Sequence, residues 1–338
     1  MNPIRKLLAR SCLLAICMEL VAVHAQGQSK GVPIEAESPS PPQSVVDQAA
    51  HLRDQGQLLQ SSSVAIQLVT PIPGTFQPKA VLTAPLQPRE IAERARASAV
   101  HIGWYYLCPD CNHWHTKLTG GYAVARNAVA TGYHCVDPSK TPMSKGYLIA
   151  VDSEGTVRPV TAVLAGSQGM DAVILRVGGR DLQPLALNDA VAQGDAAFCL
   201  SDPLGNNGYF SQGIVSRFFW MRGRKGNPGS LDELACLRMN VSTEWAPGSS
   251  GAAVLDLCGN AIGHVANISP LKEKGHPSAE KPAESKEESV KNEPQASKTA
   301  TADRFQGAVL ITMHIAIPAR SVMALVQGIN PTGFKTRQ

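Results

Sequence analysis

The sequence has little charge, few aromatic residues and almost no long apolar run. Charged side chains make up 17% of its 338 residues, aromatics 5%, and the formal net charge is only +4. A balance that weak leaves no electrostatic footprint for nucleic acid, and no basic stripe interleaved with aromatics appears. Past the N-terminus no segment is long and apolar enough to span a bilayer, so no integral membrane segment is expected in the mature chain. Alternating βαβ patterning is also missing, which argues against a doubly wound parallel sheet. Glycine and proline are plentiful instead, at 29 and 24 residues. That composition, on a chain able to bury a sizeable core, suits a β-rich protein with many turns.

The one extended apolar run comes first. Arg5, Lys6 and Arg10 precede "CLLAICMELVAV", Glu19 interrupts it, and "VHA" offers small residues for cleavage after Ala25. Residues 1–25 therefore read as an export signal, and the mature protein is expected to be periplasmic or secreted. Ile16 is too bulky before Cys17 for lipoprotein processing. Cys12 and Cys17 leave with the signal. Cys108, Cys111, Cys135, Cys199, Cys236 and Cys258 remain, an even set whose oxidising destination favours disulfides without fixing their pairing.

Residues 26–92 are dominated by Pro, Ser and Gln and read as a disordered tether with one short helix around "SVVDQAAHLRDQGQLLQ". "LQPREIAERARASAV" then places Pro88 at a helix start, with Ile91, Ala92 and Ala95 at helical spacing. From "AVHIGWYYL" onward the pattern shortens into apolar or alternating runs such as "GYAVARNAVATGY", "DAVILRV", "DAAFCLSD" and "AIGHVANI", separated by Gly, Asn, Asp or Pro. This predicts an antiparallel sandwich or barrel set, closed by a helix at "ARSVMALVQGI". Residues 270–304 are almost devoid of apolar side chains. They cannot bury enough surface to offset ordering, so a disordered loop inside the domain is expected there.

The stretch "APGSSGAAV", residues 246–254, sets two serines among glycines. Taken alone it is an ordinary turn. A serine nucleophile would need a base, a carboxylate to orient that base, and backbone donors for an oxyanion. Candidates exist: His134 in "ATGYHCV", Asp171 opening "DAVILRV", and Ser250 between Gly248 and Gly251. The chain order His, Asp, Ser matches the double-barrel arrangement and not the α/β-hydrolase order, and Ala252 breaks the G-x-S-x-G elbow.

At these residues the chain resembles the chymotrypsin-like (trypsin-like) serine peptidases, most closely the bacterial HtrA/Deg-like group. "VATGYHCV", "DAVILRV" and "APGSSGAAVLDLCGNAIGHV" are similar to that family's histidine, aspartate and nucleophile motifs. "QGDAAFCLSDPLG" and "IAIPARSVMALV" add weaker likeness, so the resemblance covers about 93–269 and 305–330. It implies an all-β fold of two packed antiparallel β-barrels, 93–182 and 190–330, with a C-terminal helix and no PDZ module. It implies a serine endopeptidase acting on polypeptide substrates through an acyl-enzyme, without a required cofactor. His134 would be the general base, Asp171 its orienter and Ser250 the nucleophile, with the Gly248 and Ser250 amides as oxyanion hole. By the same resemblance, Glu244 would set the floor of the primary pocket, and Ala266, Asn267 and Ile268 would pair with the peptide. Cys199 and Cys258 would form a disulfide. Ala252, Ala253 and Cys135 depart from the family pattern. The alternative is a catalytically inactive scaffold that binds exported polypeptides. Nothing in the sequence specifies an oligomeric state.

One motif stands outside this set. "YYLCPDCNHWHTKL" holds Cys108, Cys111, His113 and His115, which suit a structural zinc knuckle or a local disulfide; export favours the disulfide.

Overall fold

The computed structural model describes residues 43–72, 74, 78–221, 231–272 and 309–329. The expected signal at 1–25 lies outside them, as does most of the expected loop at 270–304. Two β-barrels form the body. The first follows helix α1 (Gln43–Asp54), strand β1 (Leu59–Gln60) and helices α2 (Ser61–Val69) and α3 (Pro88–Ser98). It comprises β2 (Val100–Leu107), β3 (Trp114–Thr119), β4 (Tyr122–Ala125) and β5 (Ala128–Thr131), then a one-turn helix α4 (Tyr133–Val136), β6 (Lys145–Asp152), β7 (Val157–Ser167) and β8 (Ala172–Val177). Its strands run in the order β3-β2-β6-β7-β8-β5-β4. An antiparallel bridge between Ala99 and Tyr122 brings β4 back to the start of β2.

The second barrel is closed in the order β10-β11-β14-β13-β12-β9. Its elements are β9 (Ala196–Ser201), β10 (Tyr209–Trp220), helix α5 (Leu231–Cys236), β11 (Leu237–Val241), β12 (Ala253–Leu255), β13 (Ala261–Lys272) and β14 (Val309–Pro318), followed by helix α6 (Ala319–Ile329). β13 continues through Pro270 and Leu271, which pair with Thr312 and Ile311, so the expected loop begins later than its composition suggested. Closure leaves the second barrel without a free edge, whereas β3 and β4 end the strand path of the first.

The short strands are apolar on both faces for a reason. β4 and β5 are buried at every position, because one face meets the barrel interior and the other meets the partner barrel or α6. A shared core joins the two halves: Tyr122, Val124 and Ile174 from the first barrel pack in one cluster with Phe198, Leu255 and Ala261 from the second, and with Val322 and Val326 of α6. α3 docks on the same cluster through Ile91 and Ala95. Its start is fixed by Pro88 and by the Gln87 N–H, which donates to the Glu90 carboxylate at 2.8 Å.

The N-terminal segment departs from expectation. Residues 43–69 are folded onto the first barrel. Val45, Ala49 and Leu58 pack with Tyr105, Ile149, Val151 and Val157, while Val64 and Leu68 join Val163, Val173 and Leu175. β1 adds to β6 at Leu59 and Leu148. Gln48 accepts from the Val157 N–H at 2.9 Å, and Gln67 accepts from the Val163 N–H at 2.8 Å. Few apolar side chains are involved, but each fills a site on the barrel surface, which a composition argument does not see.

Leu68→Ala is expected to lower the unfolding free energy by roughly 2–4 kcal/mol, read by denaturant titration; a change below about 0.5 kcal/mol, normal for a solvated tether, would contradict this packing.

Candidate active site

His134 and Asp171 reach the site from neighbouring strand ends. His134 stands in α4 directly after β5, and Asp171 closes the turn that enters β8, the strand paired with β5. That turn puts Asp171 in the left-handed region at φ 50, which a short polar residue tolerates, and its N–H donates to the Gln168 carbonyl at 3.2 Å. His134 then meets the carboxylate twice. Its backbone N–H donates to Oδ1 at 3.1 Å, and its ring Nδ1 lies 2.9 Å from both Oδ1 and Oδ2. A carboxylate only accepts, so Nδ1 carries the hydrogen of this contact, which leaves Nε2 as the ring nitrogen not engaged by Asp171.

Charge balance follows from that contact. Burial pushes the Asp171 carboxyl up, but the His134 hydrogen bonds and charge outweigh it and hold the group below its ordinary range. For His134, burial pulls the imidazole down, and the hydrogen bonds and charge of Asp171 and Cys135 reverse this and raise it. The Cys135 thiol lies 3.6 Å from Nε2.

Ser250 comes from the second barrel. It lines one cleft of about 430 Å³ with Tyr133, His134, Asp171, Trp245 and Val265. Ser249 is fully buried, and of the two serines only Ser250 lines the cleft. The loop holding it permits only glycine at two points. Gly248 has φ +105, and a Cβ there would sit 2.7 Å from the Asp202 carbonyl oxygen. Gly251 has φ +83, and its Cβ would fall 2.2 Å from both the Gly120 carbonyl oxygen and Thr131 Oγ1. Ala252 is buried beside Gly120, where an added Cβ would fall 2.8 Å from the Ala252 Cβ. Within the loop, Ser249 N–H donates to Ala246, Gly251 N–H to Val265 and Ala252 N–H to Ser249. The N–H groups of Gly248 and Ser250 have no acceptor among the described residues. Ser250 Oγ makes no hydrogen bond to His134, whose contacts are with Asp171 and Cys135.

Three residues behind these groups had no role in the sequence analysis. His264 on β13 is fully buried; its Nε2–H donates to the Asp171 carbonyl at 3.0 Å, and burial pushes its imidazole down to about 4, so it is neutral. Arg238 on β11 donates to the Gly169 carbonyl at 3.0 Å. Asp202, whose carbonyl abuts Gly248, holds His101 of β2 across the two barrels at 2.5 Å. The sequence signal for His264 was a polar residue at an inward position of the apolar run "AIGHVANI".

Other expected residues divide. Ala266, Asn267 and Ile268 line the cleft. Ala266 bulges out of the β13–β14 ladder, and the Asn267 carbonyl already accepts from Trp245 Nε1 at 3.1 Å. Glu244, expected as the floor of the primary pocket, is not among the residues that line this cleft. It is exposed outside the cleft lining and accepts from the Tyr209 hydroxyl at 2.5 Å, while Trp245 takes the inward position. Cys199 and Cys258 are free and differently placed. Strand alternation sends Cys199 into the core of the second barrel, whereas Cys258 sits in the turn before β13, where its carbonyl accepts from Arg94. Cys108, Cys111 and His115 converge, and His113 lies outside their cluster.

Residues 119–263 match the family model described as a trypsin-like peptidase domain. Among solved structures, the chain is similar to two of the HtrA-type protease AlgW with a decapeptide. One match has 16% identity and a TM-score of 0.46 and covers 74% of this chain and 68% of the other. The second has 14% identity and a TM-score of 0.47 and covers 73% and 69%. No curated protein matches the chain.

Proposed function

We propose that this chain, whose residues 119–263 match a trypsin-like peptidase domain, is an exported serine endopeptidase with His134, Asp171 and Ser250 as its working groups. One observation carries the reading: His134 Nδ1 stands 2.9 Å from both carboxylate oxygens of Asp171, in the cleft that Ser250 also lines. In the proposed cycle, His134 Nε2 takes the Ser250 proton as Oγ attacks a peptide carbonyl. Asp171 holds the ring and stabilises the imidazolium. The oxyanion is received by the Gly248 and Ser250 N–H groups, whose lack of a protein acceptor supports that role. Imidazolium then protonates the leaving amine, and water hydrolyses the acyl-enzyme by the same route. Export rests on the basic and apolar pattern of residues 1–25. Among the described residues no helix is long and apolar enough to cross a membrane.

Substrate choice follows from the walls. Trp245, Ala246, Val265, Ala266 and Ile268 give the second-barrel side of the cleft an uncharged surface, and Glu244 is turned away. An apolar residue before the scissile bond suits this surface better than a basic one.

Ser250→Ala is expected to keep the folded state and to lose covalent labelling by a fluorophosphonate, whereas Ser249→Ala keeps the label. Labelling of the Ser250→Ala protein at the wild-type level would refute the nucleophile, and absence of labelling in the wild type would favour an inactive scaffold.

The pH profile has a defined sign. His134 must be neutral to accept a proton, and Asp171 raises it above its ordinary value, so the acid limb of kcat/KM is expected above pH ~6.5. Asp171→Asn removes the anion: the limb moves to lower pH and kcat falls by roughly 10⁴-fold. An unmoved limb would exclude the Asp171 coupling.

Paired reporter peptides test the walls. A Leu reporter is expected to be cleaved about tenfold or more faster than its Arg counterpart, with Glu244→Gln changing neither rate more than about twofold; a preference for Arg that disappears in Glu244→Gln would restore the acidic pocket.

A further inference from the structure

The turn joining β2 to β3, away from the cleft, gathers groups that peptide hydrolysis does not use. Cys108 Sγ, Cys111 Sγ and His115 Nε2 all lie within 4.8 Å of one another, with Cys111 Sγ 3.0 Å from His115 Nε2. The backbone is shaped around the first sulfur. Cys108 N–H donates to the His113 carbonyl at 2.9 Å, and Asn112 N–H donates to the Cys108 carbonyl at 3.1 Å. Asn112 takes the left-handed conformation at φ 55, which asparagine tolerates better than most side chains.

The third group is held independently of the turn. His115 pairs with Tyr106 in the β2–β3 ladder, and the two rings lie 5.9 Å apart. Its neighbour Trp114 stacks on Tyr105 at 4.5 Å, and the Arg53 guanidinium lies 4.7 Å from the Trp114 ring. So the turn fixes two sulfurs, a packed strand fixes one imidazole nitrogen, and the three face one point.

We propose that Cys108, Cys111 and His115 bind one Zn²⁺, with water as the fourth ligand. The donor set is the chemical argument. Two thiolates and an imidazole suit a borderline-soft d¹⁰ ion, and bonds of about 2.3 Å to sulfur and 2.0 Å to nitrogen place tetrahedral ligand atoms closer together than the observed limit. Hard cations that prefer oxygen ligands do not match. Binding releases the thiol protons and joins both sulfurs to the metal, so it competes directly with a Cys108–Cys111 disulfide. The ion would clamp the turn that precedes β3, and β3 runs on to Gly120, which packs against Ala252 in the Ser250 loop.

The test uses the untagged full chain, stripped of metal by a chelator, kept reduced, and titrated with Zn²⁺ and separately with Co²⁺. The expected result is one equivalent bound, with thiolate-to-cobalt charge transfer and the visible bands of a tetrahedral site. Cys108→Ser, Cys111→Ser and His115→Ala should each abolish those bands, while His113→Ala retains them. Failure of the reduced wild type to bind either ion would overturn the proposal. Bands undiminished in His115→Ala would also overturn it, as would a Cys108–Cys111 disulfide in protein whose thiols were trapped at cell lysis.

Discussion

The site depends on one contact, the carboxylate of Asp171 held against both the backbone and the ring of His134. The backbone bond fixes where the histidine stands, and the ring bond fixes which nitrogen carries the proton. Neither element achieves this alone. α4 is a single turn, and Asp171 occupies a left-handed conformation at the mouth of a strand. The pairing of β5 with β8 brings them together, and the second barrel supports the arrangement from behind. His264 holds the Asp171 carbonyl and Arg238 holds that of Gly169. Burial keeps His264 neutral, so it supports the turn without adding a competing positive charge.

The two barrels are joined at the same place. Gly120 of the first packs on Ala252 of the second, Gly251 fits under the Gly120 carbonyl, and Thr131 donates to that carbonyl at 2.7 Å. His101 and Asp202 span the interface beside Gly248. The loop bearing Ser250 therefore rests on the barrel that supplies His134 and Asp171. Close packing of this kind transmits small displacements, so a bulkier side chain at Gly120 or Gly251 would move the serine relative to the imidazole.

Much of this was legible in the sequence, and the limits have physical causes. Strands, their antiparallel pairing and the closing helix follow from alternation and turn residues, which are local signals. The His, Asp and Ser positions followed from motif order, and the structure brings their side chains to one cleft. Side-chain direction was not legible at Glu244, where spacing located the residue but Trp245 and Tyr209 decide which way it turns. Nor was the fate of Cys199, which strand alternation buries away from Cys258. Residues 43–69 read as a tether because their apolar content is thin. Their order comes from the barrel surface, with Val64 and Leu68 filling sites created by distant strands. The buried His264 carried a signal, a polar residue where an apolar one is expected, but its partner lies 93 residues away in the chain.

The most direct measurement is the exchangeable imidazole proton of His134, observed by NMR in protein labelled with nitrogen-15 at histidine. The account predicts a strongly downfield proton on Nδ1, preserved when Ser250 is replaced by alanine and lost when Asp171 is. A wild-type His134 protonated on Nε2 alone, or a downfield signal that survives replacement of Asp171, would contradict it.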